Sequence, residues 1–241
     1  MICVRAEDIE RAAGSSEVEA DDEINEEDAG DDDTGERFLL LCTRRGRVKR
    51  LRLRQLASLR RNGLIVIGLE DGDALGDVRL CQAGDEVLLV SRRAQAARFA
   101  CSEVRPMGRT ARGVTGMRLG PGDEVLGMAV VEEGAELLTV SEKGLGKRSP
   151  LQEFTPHHRG SIGIKAQHLG PRSGLLTGAR VVFPDDEVML ITAQGTLIRQ
   201  KVDGISRQGR SAMGVLLMRP EAGDTVVALA ALARDDDTDK A

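Results

Sequence analysis

The chain has 241 residues, 41% of them apolar, with four Phe and neither Tyr nor Trp. That is enough to bury a core, while the apolar run near its end, 226–233, is far short of the roughly 20 residues that a membrane helix needs. The net charge of −5 hides a division. Residues 1–36 hold 15 acidic and 2 basic residues and residues 234–241 hold 4 and 2, which leaves 20 acidic and 30 basic residues, about +10, on the body 37–233.

A body of that sign between acidic ends suits a polyanionic partner better than a merely solvated surface. Met1–Val4 runs directly into Arg5 and acidic residues, so no secretory signal is read and a cytoplasmic, nucleoid-associated location is expected. Cys3, Cys42, Cys81 and Cys101 form no CxxC pair and read as small buried thiols of a reducing compartment. His157, His158 and His168 have no cysteine nearby, so neither a metal nor a cofactor is expected.

Residues 1–37 come first, as an acidic segment. Glu17–Asp33 is mostly Asp, Glu, Gly and Ala, too poor in apolar residues to fold, and reads as disordered. Within 1–14, VRAEDIERAAG (4–14) loosely resembles FACSEVRP (99–106). It is a candidate remnant of a further repeat, with a short capping helix as the alternative.

From Phe38 a block of about 50 residues occurs four times, over about 38–82, 83–132, 133–183 and 184–233. The marker segments are FLLLCTRRGRVKR, EVLLVSRRAQAAR, ELLTVSEKGLGKR and EVMLITAQGTLIR, closed by Arg50, Arg98, Arg148 and Arg199 at intervals of 48, 50 and 51. Gly63, Gly113, Gly163 and Gly214 follow at intervals of 50, 50 and 51. Two markers sharing one period indicate a repeat whose single unit cannot bury its apolar face alone.

Each block predicts four strands. The first is an apolar run: Leu39–Cys42, Val87–Val90, Leu137–Val140 and Val188–Ile191. A tight turn centred on Gly46, Ala94, Gly144 or Gly195 follows. The second strand alternates in the first block, Leu51 and Leu53 against Arg50, Arg52 and Arg54, which predicts a half-buried strand with a basic outer face. A third strand is expected at Leu64–Leu69, Val114–Leu119, Ile164–Leu169 and Val215–Met218. A fourth is expected at Ala74–Leu80, Val125–Val131, Leu175–Val182 and Val226–Leu232. Without helical periodicity, this predicts an all-β, propeller-like disc of at least four four-stranded blades over 38–233, with 234–241 as an acidic tail.

Arginine pairs line the turns: Arg44-Arg45, Arg60-Arg61 and Arg92-Arg93, with Arg109 and Arg112 in a Gly-rich loop. The guanidinium fork matches phosphate oxygens, so a ring of such turns would track a duplex backbone. The full set of candidate phosphate contacts is Arg44, Arg45, Arg47, Lys49, Arg50, Arg60, Arg61, Arg92, Arg93, Arg98, Arg109, Arg112, Lys143, Lys147, Arg148, Arg159, Lys165, Arg199, Arg207 and Arg210. Lack of Tyr and Trp disfavours single-strand stacking, and lack of a recognition helix disfavours sequence reading. GRTARGVT (108–115) has the spacing of a phosphate loop, but Val114 stands where the lysine belongs and a strand follows. His157-His158 has only Ser161 as a neighbouring nucleophile, so catalysis is not expected.

Several of these segments are long and specific: TRRGRVKR (43–50), LRRNGL (59–64), VRPMGRTARGVTGMRLGPGDEV (104–125), GLGKRSPLQEF (144–154), GARVV (178–182) and ISRQGRSAMGV (205–215). Together they resemble the C-terminal domain of the DNA gyrase A protein, with the corresponding domain of topoisomerase IV as a more distant likeness. The resemblance implies a β-pinwheel around whose basic rim duplex DNA wraps, in support of supercoiling. It implies the gyrase A breakage–reunion domain and the gyrase B protein as partners. The alternatives are a propeller-like protein scaffold, or part of a split topoisomerase active only with a partner chain. Three departures stand out. Four repeats are present where the family usually has six blades. The basic box Gln-Arg-Arg-Gly-Gly-Lys-Gly is absent as such, its nearest counterpart being HRGSIGI (158–164) with His158, Arg159, Gly160 and Gly163. No tyrosine is present to hold a cleaved strand.

Overall fold

The computed structural model describes residues 36–57 and 63–232. The acidic segments 1–35 and 233–241, and with them the expected disorder and the remnant repeat, lie outside the described residues, as do Arg60 and Arg61. The apolar runs form β1 (Arg37–Thr43), β4 (Glu86–Ser91), β8 (Glu136–Ser141) and β12 (Glu187–Thr192). Each turns back into a second strand: β2 (Arg47–Arg52), β5 (Gln95–Ala100), β9 (Leu145–Pro150) and β13 (Leu197–Lys201). The last strand of each repeat is β3 (Leu75–Gln82), β7 (Val125–Val130), β11 (Leu176–Val182) or β15 (Val226–Leu232). The turns need a left-handed residue. Gly46, Gly144 and Gly195 supply it, and Ala94 adopts the same conformation at φ 57°, against the steric preference of an L-residue.

The expected third strand is where the fold departs from the sequence reading. It is only two residues long: β6 (Val114–Thr115), β10 (Ile164–Lys165) and β14 (Val215–Leu216). Leu64–Leu69 forms none. Nor does it pair within its own repeat. β6 joins β2, β10 joins β5 and β14 joins β9, each in the sheet of the preceding repeat. The sheets therefore run β3-β1-β2-β6, β7-β4-β5-β10, β11-β8-β9-β14 and β15-β12-β13, with four, four, four and three strands. Each junction is a hook from one repeat seated on the edge of the one before.

The sheets stack face to face. Phe38, Leu40 and Cys42 of the first sheet meet Val87, Leu89 and Phe99 of the second. Leu88 and Val90 meet Leu137, and Leu138 and Val140 meet Val188 and Leu190. Both faces of β2 are covered, one by the second sheet and the other by the first repeat's own segment with Leu56 and Ile67, which corrects the half-buried reading: Lys49 is 0% and Arg50 2% exposed. The inner strands β3, β7, β11 and β15 touch in succession around a cavity of about 940 Å³ lined by Asp77, Arg79, Met128 and Arg180. There Asp77 receives Arg79 at 3.1 Å and the Met128 amide at 3.1 Å. Burial lowers the pKa of Arg180 below its usual range. Cys42, Cys81 and Cys101 are buried, with Cys81 and Cys101 sulfurs 2.8 Å apart. No described helix is long and apolar enough to cross a membrane.

Candidate nucleic-acid interface

Two courses of basic side chains run along the outer parts of the sheets. The first follows the hairpin tips Arg44-Arg45, Arg92-Arg93, Glu142-Lys143 and Ala193-Gln194. Each tip is fixed from behind. Asp73 accepts the Arg45 amide at 3.1 Å, Asp123 the Arg93 amide at 3.0 Å and Asp224 the Gln194 amide at 3.2 Å. In the third repeat, where Ser173 replaces Asp, its carbonyl takes the Lys143 amide at 3.0 Å. Neighbouring tips are chained by ion pairs: Arg44 to Glu124 at 3.9 Å, Arg92 to Glu124 at 3.3 Å and to Glu142 at 2.9 Å. Arg45 and Arg93 are exposed, and the Arg45 guanidinium leans over the Gly-Asp turn, 2.9 Å from where a Gly72 Cβ would sit. The positive charge of this course fades after the second tip.

The second course is the hook loops, which hang on the outermost strands. They touch in succession: Gly160 donates to the Gly116 carbonyl at 2.6 Å, Arg118 to the Gly160 carbonyl at 2.7 Å, and Arg210 to the Lys165 carbonyl at 3.2 Å. Arg112, Lys165 and Arg207 are exposed along it, and Arg109 and Arg210 are half-buried. The two courses meet at every filled hairpin, where the amides of Gly116 and Met117 donate to the Gly46 carbonyl at 2.9 and 3.2 Å and the Leu217 amide to that of Gly144 at 2.9 Å.

Several sequence-assigned contacts turn inward and are withdrawn from this surface. The Lys49 ammonium donates to the carbonyls of Val66 at 2.7 Å and Arg109 at 2.5 Å. That of Lys147, 0% exposed, donates to the Ser149 hydroxyl at 2.6 Å and to the carbonyls of Gly209 at 2.9 Å and Arg210 at 3.1 Å. Burial lowers both to about 8. These lysines tie down the backbone of the next repeat's Gly-Arg loop. Arg50 stacks on Phe38, 4.3 Å from the ring centre. Arg98 pairs with Glu86 and donates to the carbonyls of Leu151 at 2.9 Å and Phe154 at 3.3 Å. Arg148 pairs with Glu136 at 2.9 Å and donates to the Ile205 carbonyl at 2.8 Å. Arg47 pairs with Glu70 at 2.9 Å. In the box-like loop, Arg159 is held by the carbonyls of Glu103 at 2.9 Å and Thr115 at 3.2 Å, and Gly163 packs on the Ala96 backbone. That loop fastens the third repeat to the second, while His158, 97% exposed, faces solvent beside Glu103.

Sequence reasoning missed other members of the hook course. Arg118, His168 and Arg219 are exposed and recur at intervals of 50 and 51, directly after each hook. The period was the available signal. Arg105, also exposed, had none beyond its charge.

The family described as DNA gyrase C-terminal domain, beta-propeller, matches residues 37–82, 85–132, 135–182 and 186–233. The DNA gyrase A protein of Aminobacterium colombiense is 42% identical over 85% of this chain and 25% of its own length. That of Mycobacterium tuberculosis is 38% identical over 85% and 25%. The chain thus spans about a quarter of the curated relatives it matches. A solved DNA gyrase A C-terminal domain superposes with a TM-score of 0.74 at 28% identity, covering 82% of this chain and 66% of that one. The C-terminal domain of a DNA topoisomerase IV gives 0.77 at 26%, covering 81% and 62%. With all four of its repeats matched, the chain belongs to the DNA gyrase C-terminal domain family of β-propellers.

Proposed function

We propose that this chain binds and bends duplex DNA along its outer rim, as the wrapping module of a gyrase-type topoisomerase. The observation that carries this reading is the pair of linked basic courses, with Arg45, Arg93, Arg112 and Arg118 directed outward on backbones pinned by Asp73, Asp123 and the hook contacts. Contacts from such arginines to phosphates position a duplex without reading its bases, so binding is tolerant of sequence. Strand passage needs a tyrosine, which this sequence lacks. The module therefore works with a breakage–reunion domain and an ATP-hydrolysing partner protein.

If roughly 8 phosphates are contacted, log K falls against log salt with a slope of about −7. Replacing Arg45, Arg93, Arg112 and Arg118 with Ala weakens binding to all duplex sequences alike and flattens that slope. A mobility-shift series across salt concentrations checks it, and a slope near zero for the unaltered chain would sink the reading.

A further inference from the structure

Only part of the positive charge at the hairpin tips stands free to meet a duplex. We propose that Glu124 and Glu142 hold Arg44 and Arg92 in reserve, and that duplex phosphates displace these two carboxylates on binding. The inference rests on the DNA reading above and adds a gate to that same rim.

The two carboxylates stand where the repeat does not ask for them. Glu142 occupies, at the third tip, the place held by Arg44 and Arg92 at the first two. Glu124 follows the turn residue Asp123, where Ala74, Gly174 and Thr225 stand in the other repeats. Both side chains converge on arginines. Glu124 takes Arg44 at 3.9 Å and Arg92 at 3.3 Å, and Arg92 reaches on to Glu142 at 2.9 Å. At each of the first two tips, one arginine, Arg45 or Arg93, is therefore exposed, while its neighbour is already matched by a carboxylate.

These pairs are placed to exchange. Backbone bonds tie the tips from repeat to repeat without them: the Val125 amide donates to the Arg44 carbonyl at 2.8 Å, the Leu176 amide to that of Arg92 at 2.9 Å and the Val226 amide to that of Glu142 at 2.8 Å. The side chains also stay in contact with water. Arg44 is 62% exposed and Arg92 38%, whereas in the pair of Arg148 with Glu136 the figures are 12% and 9%. An ion pair in water contributes little, so giving one up costs little. The exchange has a direction. An acidic side chain offered in place of Glu124 gains nothing, whereas each phosphate neutralised on a duplex also releases a condensed counterion. The gate thus favours a dense phosphate backbone over an isolated carboxylate.

Four chains compared by mobility shift on one linear duplex test it: the unaltered chain, Glu124→Gln with Glu142→Gln, Arg44→Ala with Arg92→Ala, and all four changes together. Release of the arginines tightens binding about 3–10-fold at low salt, and the gain shrinks as salt screens it. The arginine changes alone weaken binding. The decisive chain is the fourth, in which the gain from the glutamines disappears because the arginines they would release are gone. A gain of the same size without Arg44 and Arg92 would show only a general field of the two charges and would overturn the proposal, as would no gain at all. Either result leaves the DNA reading standing where the unaltered chain keeps its steep salt dependence. An unaltered chain that does not bind duplex would overturn both. Thermal melts check that each variant folds. Glu142 also accepts the Leu175 amide at 3.0 Å, so Glu124→Gln alone serves as the second variant: among the described residues its carboxylate takes only Arg44 and Arg92. It shows a smaller gain with the same dependence on the arginines.

Discussion

Lys49 and Lys147 carry opposite lessons about charge from those of Arg45 and Arg93. All four were legible as basic residues near a turn, and only the structure separates them. At the position three residues after the turn the side chain is buried, Lys147 between the second and third sheets and Lys49 beneath the segment that carries Val66, so a lysine there spends its ammonium on backbone carbonyls. Replacing Lys147 with Met strands the carbonyls of Gly209 and Arg210, and unfolding by urea should show a loss of about 1–3 kcal/mol. Titration gives a second signature. Both folded pKa values, about 8, lie below the 10.5 of an ordinary lysine. Between these pH values the unfolded chain binds more protons, so the contribution of these lysines to unfolding free energy rises with pH. Below about 8 it is flat. The buried Cys42 thiol, pushed upward by burial, acts in the reverse sense at alkaline pH. The difference between the unaltered chain and the Lys49→Met, Lys147→Met variant isolates the lysine part, and a difference that falls from pH 8 to 10 would refute it.

At the scale of elements, the first, second and last strands of each repeat were legible because their apolar runs and glycine turns are local signals. The hook was not. VTGMRL (114–119) reads as a six-residue strand, but its apolar content serves two tasks. Val114 and Thr115 pair with β2, and Met117, 1% exposed, plugs the seam between the first two sheets. Sequence periodicity cannot distinguish pairing from plugging, nor report that the partner strand belongs to another repeat. Two glycines measure what seating a hook costs. Gly113→Ala places a methyl group 2.5 Å from the Val48 carbonyl oxygen in a left-handed conformation, whereas Gly63→Ala meets the same backbone strain in open space. The Gly63 change should cost about 1–2 kcal/mol in thermal or urea unfolding and the Gly113 change distinctly more. Equal losses would mean that the hook is not held against β2 as described.

For the molecule as a whole, the charge division seen in the sequence frames the rim. A body of about +10 is tethered to a segment rich in Asp and Glu, and a tethered polyanion competes at an effective concentration on the order of millimolar. Deleting residues 1–35, which leaves the Glu36 pairing with Arg52 intact, should tighten duplex binding at low salt, with a gain that shrinks as salt screens it. Unchanged affinity at low ionic strength would leave the segment only a role in solubility.

The exchange of hooks also makes the unit of inheritance different from the unit of architecture. One copy of the roughly 50-residue block brings a seat for its successor and a hook for its predecessor. Because the three described junctions are built alike, duplicating or deleting an internal block in frame brings with it both halves of a seam. The length of the array is thus free to drift by whole blades while its internal joints keep their chemistry. Selection can then act on copy number, leaving the joint itself untouched.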